Sequence, residues 1–492
     1  MRELHRAIKL NQAKLSSLPA NVSVPRYKRD DITPGIIHIG VGNFHRGHQA
    51  IYLDRLFELG HDHDWGVLGA GIKSYDKQMR DELAAQDWLT TIVELDAEGL
   101  SARVCGSMVG FIDVNATTLV AELVNPQIRI VSLTITEGGY YINEETGGFL
   151  IENSEIQADI INPRAPRTVF GILVTALALR REAGLLPFTI MSCDNAPHNG
   201  QITQQAVVGL AQAMNPELTA WIEDTVCFPN SMVDCIVPAT SDRERRRLRR
   251  VFGIEDAAPV FCEPFRQWIL EDKFVQGRPA LEKVGVQFVN DVAPFELMKL
   301  RILNGGHIAI AYAAALLNIH FVHDAMANPL LAKFLRKVEE TEIVPAVPAV
   351  PGVNLYEYAK LIEKRFSNPE IGDTISRLCL DGSNKLPKFI LPVIATNVTT
   401  GRPCPGLFLV VALWCRYCAA VGEDGSTIDL ADPQAERLKK TALQAKSKPD
   451  AFLEKNDIFG TLGHNEEFRA QFSAALNTIW QNGTQSALEA YI

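Results

Sequence analysis

Gly35-Ile36-Ile37-His38-Ile39-Gly40-Val41-Gly42-Asn43-Phe44-His45-Arg46 is the stretch whose reading decides the fold. Three isoleucines between glycines read as a short buried strand. A glycine-bearing turn follows, and then a helical pattern over Gln49–Phe57. A second apolar run, residues 65–72, reads as another strand. Strand, helix, strand is the unit that builds a parallel sheet. The turn has the chemistry of a pyrophosphate cradle. Gly40 permits a tight turn, Gly42 lets backbone N–H groups approach a phosphate, and the helix start adds partial positive charge. His45 stands at the third glycine position of G-x-G-x-x-G. The candidate cofactor-binding residues are therefore Ile39, Gly40, Val41, Gly42, Asn43, Phe44, His45 and Arg46.

The end of the second strand selects the dinucleotide. An acid there bonds the ribose hydroxyls of NAD, whereas a basic residue accepts the 2′-phosphate of NADP. The sequence offers Ile72-Lys73-Ser74-Tyr75-Asp76. Asp76 favours NAD, and Lys73 leaves NADP possible.

Working outward, residues 129–136 and 187–193 read as further strands, and 167–184 as a helix between them. The strands end on polar residues, at Glu137-Gly-Gly and Asp194-Asn195. Ligands of open α/β sheets gather at such carboxyl ends. Residues 1–34 read as an irregular lead-in. Beyond about 290 helical patterns take over, at 295–318, 324–341, 354–366, 405–421 and 465–481, with a proline-rich loop at 344–351. Two domains are expected, 1–290 and 291–492, and 492 residues exceed one ordinary core.

Composition excludes several classes. With 47% hydrophobic and 22% charged residues the chain is globular rather than disordered. A net charge of −10 argues against nucleic acid as a partner. The apolar runs near 307–322 and 405–415 are shorter than the roughly 20 residues of a membrane span, so no membrane association is expected. Met1–Lys14 carries no apolar core of a signal peptide. Nine cysteines without framework spacing suggest reduced thiols. A cytoplasmic enzyme is expected, either a monomer or a weak oligomer.

The segment Phe295-Glu296-Leu-Met-Lys299-Leu-Arg301-Ile-Leu-Asn304-Gly-Gly-His307 carries the candidate chemistry. On an α-helix Lys299, Asn304 and His307 fall within an arc of about 140°. Oxidising an alcohol needs a base for the hydroxyl proton while hydride leaves carbon. A lysine serves if desolvation lowers its pKa. Asparagine amides stabilise a developing alkoxide, and a histidine can orient substrate. The same spacing also fits a solvated helix face. The apolar neighbours Ile302, Leu303, Ile308, Ile310 and Ala311 argue for burial instead, and buried polar groups need partners.

These motifs together resemble the polyol-specific long-chain dehydrogenase family, and within it the mannitol branch. The resemblance runs from about residue 10 almost to the C-terminus. It includes Gly40-x-Gly42-x-Phe44-His45-Arg46-x-His48, Ser132-Leu-Thr-Ile-Thr-Glu-Gly-Gly-Tyr140, Met191-Ser-Cys-Asp194-Asn195-x-Pro-His-Asn199-Gly200, Phe228-Pro-Asn-Ser-Met-Val-Asp234, Cys262-Glu-Pro-Phe-x-Gln-Trp268 and Asp381-Gly382-Ser383-x-Lys385. It implies a Rossmann-type α/β domain with a parallel sheet, then a mostly α-helical domain, and metal-independent hydride transfer between NAD and a polyol/ketose pair such as mannitol and fructose. By resemblance Lys299 is the general base. Asn195 and Asn304 hold the substrate oxygen, and His307 binds substrate. Glu296 is a carboxylate that gates proton exchange. Asp234, Arg377 and Lys385 lie near nicotinamide or polyol. The family's mannitol enzymes tend to carry two adjacent acids after the second strand. Here Tyr75 replaces the first. The sister fructuronate reductases share most of these motifs, so a hexuronate, or another polyol such as sorbitol or arabinitol, stays open as substrate. A non-catalytic dinucleotide-binding protein is the alternative from another class.

Other patterns have plainer readings. Cys415 and Cys418 read as buried thiols in an apolar helix. Residues 241–250 read as a capped, solvated basic helix. His61 and His63 lack further ligands. Asn397-Val-Thr399 is a sequon that matters only in a secreted protein.

Overall fold

The computed structural model describes residues 7–143 and 148–492. The chain divides into two compact units, Met1–Ala293 and Pro294–Ile492.

The first unit is built on a five-stranded parallel sheet. Its order is Met108–Phe111, Gly66–Ala70, Pro34–Ile39, Ile130–Leu133, Thr189–Ser192. All neighbours are parallel. In chain order this is 3-2-1-4-5, the doubly wound order, with its switch point between the first and fourth strands. Alternation along Pro34–Ile39 explains why both faces are covered. Ile37 and Ile39 face the helix Val169–Glu182, through Phe170, Leu173 and Leu177. Ile36 faces the helix Gln49–Glu58, through Leu53, Leu56 and Phe57. Truncating any such phenylalanine would cost about 3–5 kcal/mol, so these two layers set the sheet. Arg180, wholly buried, donates to the carbonyls of Leu123, Asn125, Ile128 and Leu186. It ties down the approach to the fourth strand through carbonyls alone among the described residues.

The predicted strands are present but shorter than the apolar runs. Residues 65–72, 129–136 and 187–193 contribute Gly66–Ala70, Ile130–Leu133 and Thr189–Ser192. The lead-in is not wholly irregular. Ile8–Lys9 pairs with Ile254–Glu255, and Val22–Ser23 pairs with Gly99–Cys105. A three-stranded sheet holds Ser231–Asp234 against Gln267–Glu271. The basic segment forms Asp242–Phe252, with a Ser241/Glu244 capping box and Gly253 closing it. Only Leu248 and Phe252 are buried there, as a solvated helix requires.

The second unit is helical. Its centre is Gly305–Leu316, buried along nearly its whole length. Helices Ile375–Cys379, Pro405–Cys418 and Pro329–Val338 pack on it. Glu342 caps Pro405–Cys418 by accepting from the Gly406 and Leu407 amides at 2.8 Å each. The last helix, Glu466–Tyr491, runs past the predicted end at 481 and bends at Gly483 (φ 86°). The predicted single helix 295–318 is three pieces: Ala293–Met298, a π-helix Lys299–Asn304, and Gly305–Leu316. The helix predicted over 324–341 likewise breaks at Asn328 and ends in a second π-helix, Glu339–Ile343. The proline-rich loop begins with a 3₁₀ turn, Val344–Ala346. No helix among the described residues is long and apolar enough to cross a membrane.

Candidate active site

One group of candidate residues lies at the carboxyl ends of the parallel strands. Gly40 has φ +97°, and a Cβ there would meet the Thr134 carbonyl at 2.2 Å. Only glycine makes this turn, because the chain leaves its strand directly against the neighbouring one. Gly42 has no such neighbour, and a Cβ there would meet nothing closer than 3.8 Å. The space over Gly42 suits a ligand that must approach the backbone closely. Asn43 opens the helix Asn43–Gly47. This cradle fits a dinucleotide pyrophosphate.

His45 and Arg46 serve this turn differently from the sequence expectation. The His45 ring stacks on His38 of the central strand at 3.5 Å and 14°. It is 1% exposed, and neither ring nitrogen has a hydrogen-bond partner among the described residues. Burial, then the nearby His38, holds its pKa well below the usual histidine range, so the ring is neutral. In a dinucleotide fold the third glycine allows close helix–strand packing. Here a flat neutral ring packs at that place, against His38. Arg46 is equally buried. It donates to the carbonyls of Gly42 and Ala258 and to the Asn43 side chain. Burial lowers its pKa to about 10, and it acts as an internal strap for the turn. Ile39 and Val41 are core residues at the edges of the turn.

Asp76 lies just beyond the second strand. One of its carboxylate oxygens accepts the amides of Ile72 and Lys73 at 2.9 Å each. The loop is so tight that a Cβ on Gly71 would strike the Asp76 side chain. Lys73 faces Glu155, Nζ to Oε1 3.6 Å. That carboxylate is held ionised by the Tyr141 hydroxyl, so a 2′-phosphate at Lys73 would meet a negative neighbour.

Asn195 stands exposed directly after Asp194. Asp194 ties two strand-end loops together: it accepts the Ile135 and Thr136 amides at 2.9 Å and the Tyr140 hydroxyl at 2.6 Å. Thr136 holds φ 66°, ψ 161°, a conformation costing of order 1–3 kcal/mol in a non-glycine residue. Asn199 bridges the Asp194 and Ser231 carbonyls, and its own oxygen accepts the Ser231 amide. It thereby links the strand that carries Asn195 to the strand that ends in Asp234. Asp234 is 5% exposed.

A second group lies on the broken helix of the helical unit. Glu296, Lys299 and His307 are 7%, 7% and 9% exposed, and Asn304 is half-buried. The π-helix changes their relation. Lys299 and Asn304 are five apart, the spacing of one π turn, so they share a face. An α-helix would separate them by about 140°. The His307 ring stacks on Phe366 at 3.9 Å and 13°, which fixes its plane. Helix Gly382–Phe389, which carries Lys385, packs against the π-helix. The Lys385 ammonium donates to the Leu378 carbonyl at 3.1 Å, beside Arg377. Burial and then Arg377 lower its pKa. Arg377 is clasped by both oxygens of Asp373, four residues earlier and just ahead of the helix Ile375–Cys379.

Glu339 is absent from the sequence reading. It is fully buried in the second π-helix, and neither carboxyl oxygen has a hydrogen-bond partner among the described residues. A Cβ on Gly306 would lie 2.5 Å from its Oε1, which places the carboxyl against the backbone between Asn304 and His307. Burial, followed by Glu363 and Glu340, raises its pKa well above the usual range. The folded state keeps the acid protonated, whereas the unfolded chain ionises near pH ~4.3. The folded state therefore loses about 1.4 kcal/mol per pH unit above that point, until its own pKa is reached. Glu339→Gln removes this dependence. We expect the variant to match the parent below about pH 4 and to exceed it as the pH rises above that point in denaturant unfolding. Parallel pH–stability curves would contradict a buried neutral acid.

Three sequence patterns close without chemistry. Cys415 and Cys418 are wholly buried, and burial pushes both thiols up. Asn397 is 0% exposed and bonded to the Glu342 carbonyl and to Arg402. His63 contacts the Phe57 carbonyl. No group of three or more potential metal ligands occurs among the described residues.

Comparison with known proteins covers both units. Residues 34–283 match the model of the mannitol dehydrogenase Rossmann domain, and residues 291–480 that of the mannitol dehydrogenase C-terminal domain. A mannitol 2-dehydrogenase of Cereibacter sphaeroides is 52% identical over 474 residues, covering 96% of this chain and 99% of that protein. One of Phaeosphaeria nodorum is 42% identical over 490 residues, covering 98% and 86%. The Pseudomonas fluorescens mannitol 2-dehydrogenase in ternary complex with NAD and D-mannitol superposes with a TM-score of 0.85 at 43% identity, covering 98% of this chain and 99% of that one. A substrate-free D-sorbitol dehydrogenase gives 0.91 at 34% identity, covering 98% and 100%.

Proposed function

Because the chain belongs to the mannitol dehydrogenase family, we propose that it is an NAD-dependent mannitol 2-dehydrogenase that oxidises D-mannitol at C2 to D-fructose. The observation that carries this is the 52% identity to such an enzyme along 99% of that enzyme's length. The polar residues that alcohol oxidation needs are present in full, and Glu296, Lys299 and His307 among them are buried.

The residues fall into roles that the chemistry requires. The Gly40–Gly42 turn and Asp76 would hold NAD, with Asp234 beside the nicotinamide. Bound there, NAD would supply the acceptor for the hydride from C2. Lys299 takes the hydroxyl proton from the same carbon centre. The Asn195 and Asn304 amides donate to the substrate oxygen as negative charge develops on it. Sharing a π turn supports a joint action of Lys299 and Asn304. Glu296, three residues before Lys299, passes the proton towards solvent. His307, Arg377 and Lys385 bind the polyol hydroxyls. Nine free cysteines, eight of them buried, support a reducing cytoplasmic setting.

Arg377 bears on the substrate class. A guanidinium already clasped by Asp373 has its charge matched, and the pair raises the arginine pKa. Its remaining N–H groups suit neutral hydroxyls, whereas a hexuronate carboxylate would be repelled by Asp373. A sorbitol enzyme is the second reading, favoured by the D-sorbitol dehydrogenase superposition. The test is kcat/KM for D-mannitol, D-sorbitol and D-arabinitol oxidation and for fructuronate reduction, each with NAD and NADP cofactors. We expect D-mannitol with NAD to lead. Preference for fructuronate, or for NADP, would overturn the assignment, and absence of turnover with all of them would favour a non-catalytic binding protein.

A further inference from the structure

We propose that a cleft in the first unit, formed by residues 23–26, 55–59, 103 and 283–284, binds a small anion bearing several phosphoryl groups, at a place apart from the dinucleotide turn. The cleft has a volume of about 630 Å³, within the range of small-molecule sites. Its charged lining is Arg26, Arg55, Arg103, Lys283 and a single acid, Glu58. That acid is already taken: it accepts the Arg26 amide at 2.7 Å and the Arg26 Nε at 2.8 Å.

The other three cations have no hydrogen-bonded carboxylate among the described residues. The nearest acid to Arg55 is Glu94 at 3.7 Å, and Glu94 is held by Arg266 at 2.7 Å. The nearest acid to Arg103 is Asp54 at 3.6 Å, and Asp54 accepts from Tyr27 at 2.7 Å and from the Gly106 amide at 3.0 Å. The Arg103 Nη1 is buried without a hydrogen-bond partner. Lys283 faces the His61 ring, at 3.1 Å. The Arg55 and Arg103 side chains are 39% and 26% exposed, so water solvates them only in part. Burial, and then Arg266 and Arg103, lower the Arg55 pKa against the opposing pull of Glu94, as expected where like charges are gathered. The half-unit negative charge at the end of helix Gln49–Glu58 opposes an anion, but three cations outweigh it. Two guanidinium forks and an ammonium match phosphoryl oxygens.

The site is separate from the cofactor turn. Arg55 and Glu58 lie in the last turn of helix Gln49–Glu58, and that helix of ten residues spans about 15 Å from its start near the turn. Exposed Leu59, with Val24 and Val284, gives the cleft an apolar wall for the organic part of a ligand.

Thermal unfolding of the NAD-saturated protein tests this with inorganic tripolyphosphate as probe. We expect a saturable rise in Tm, not reproduced by sodium chloride at equal ionic strength. Arg55→Gln and Lys283→Gln, tested singly, should each weaken the apparent affinity at least about tenfold, the loss of one charge-assisted contact, with KM for NAD unchanged. A nucleoside triphosphate and a hexose bisphosphate form two further arms, and the tighter of them identifies the organic body. No saturable rise, an equal rise in both variants, or a rise seen only without NAD would overturn the proposal. None of these readouts depends on which polyol the enzyme oxidises.

Discussion

Lys299→Ala is expected to lower kcat for D-mannitol oxidation by about 10²- to 10⁴-fold, the usual worth of a positioned general base. Lys299 is 7% exposed, and Phe295, Met298, Ile302 and Leu303 beside it in sequence are buried as well. The glycine turn belongs to the other unit. NAD affinity, read by quenching of protein fluorescence, should therefore change little. Primary amines added to the variant should restore part of the rate. A variant that keeps more than about a tenth of the parental kcat would remove Lys299 from the chemistry. Asn304→Ala supplies the companion reading, because the π-helix would set its amide on the face of the lysine. It should also depress kcat more than it raises KM.

Gly40→Ala is expected to abolish the turn. The residue sits at φ +97°, where an L side chain is strained by of order 1–3 kcal/mol, and the new methyl would meet the Thr134 carbonyl at 2.2 Å. That contact is a methyl against backbone, with no flexible side chain to yield. Either the first strand or the fourth must shift, and both frame the switch point of the sheet. We expect a fall in Tm of several degrees and NAD binding weakened beyond about tenfold. Gly42→Ala separates the two effects. Its Cβ would meet nothing closer than 3.8 Å, so Tm should hold while NAD affinity drops, because the methyl occupies the space the pyrophosphate needs. Equal Tm loss in both variants would contradict this division of roles.

These contrasts show which parts of the site were legible in sequence. The strand, the glycine turn and the following helix follow from local periodicity and glycine placement. The helical second unit follows from long 3.6-residue patterns. The small sheets could not be read. Val22–Ser23 is two residues long and its partners are Ala102 and Arg103, so no local pattern marks it. The π-helix was hidden for another reason. Hydrophobic spacing assumes an α-helical pitch, and a one-residue widening leaves composition unchanged while moving Asn304 onto the face of Lys299. His45 shows a substitution whose meaning is tertiary: its ring takes the space against His38, which no single segment discloses. Glu339 lay inside a helical pattern as one acid among several, and only the approach of Gly306 singles it out. The Asp373–Arg377 pair could not be read from helical spacing, because Asp373 lies before the N-cap Thr374 of the helix that carries Arg377. It changes the view of Arg377 from a free cation to a neutralised donor.

Hydride transfer between a polyol and NAD is tested most directly by the stoichiometry of the reaction with D-mannitol and NAD, following reduced nicotinamide by absorbance and identifying the sugar formed. One D-fructose is expected per reduced nicotinamide. An aldose, oxidised at C1, or no reduced nicotinamide at all, would contradict it.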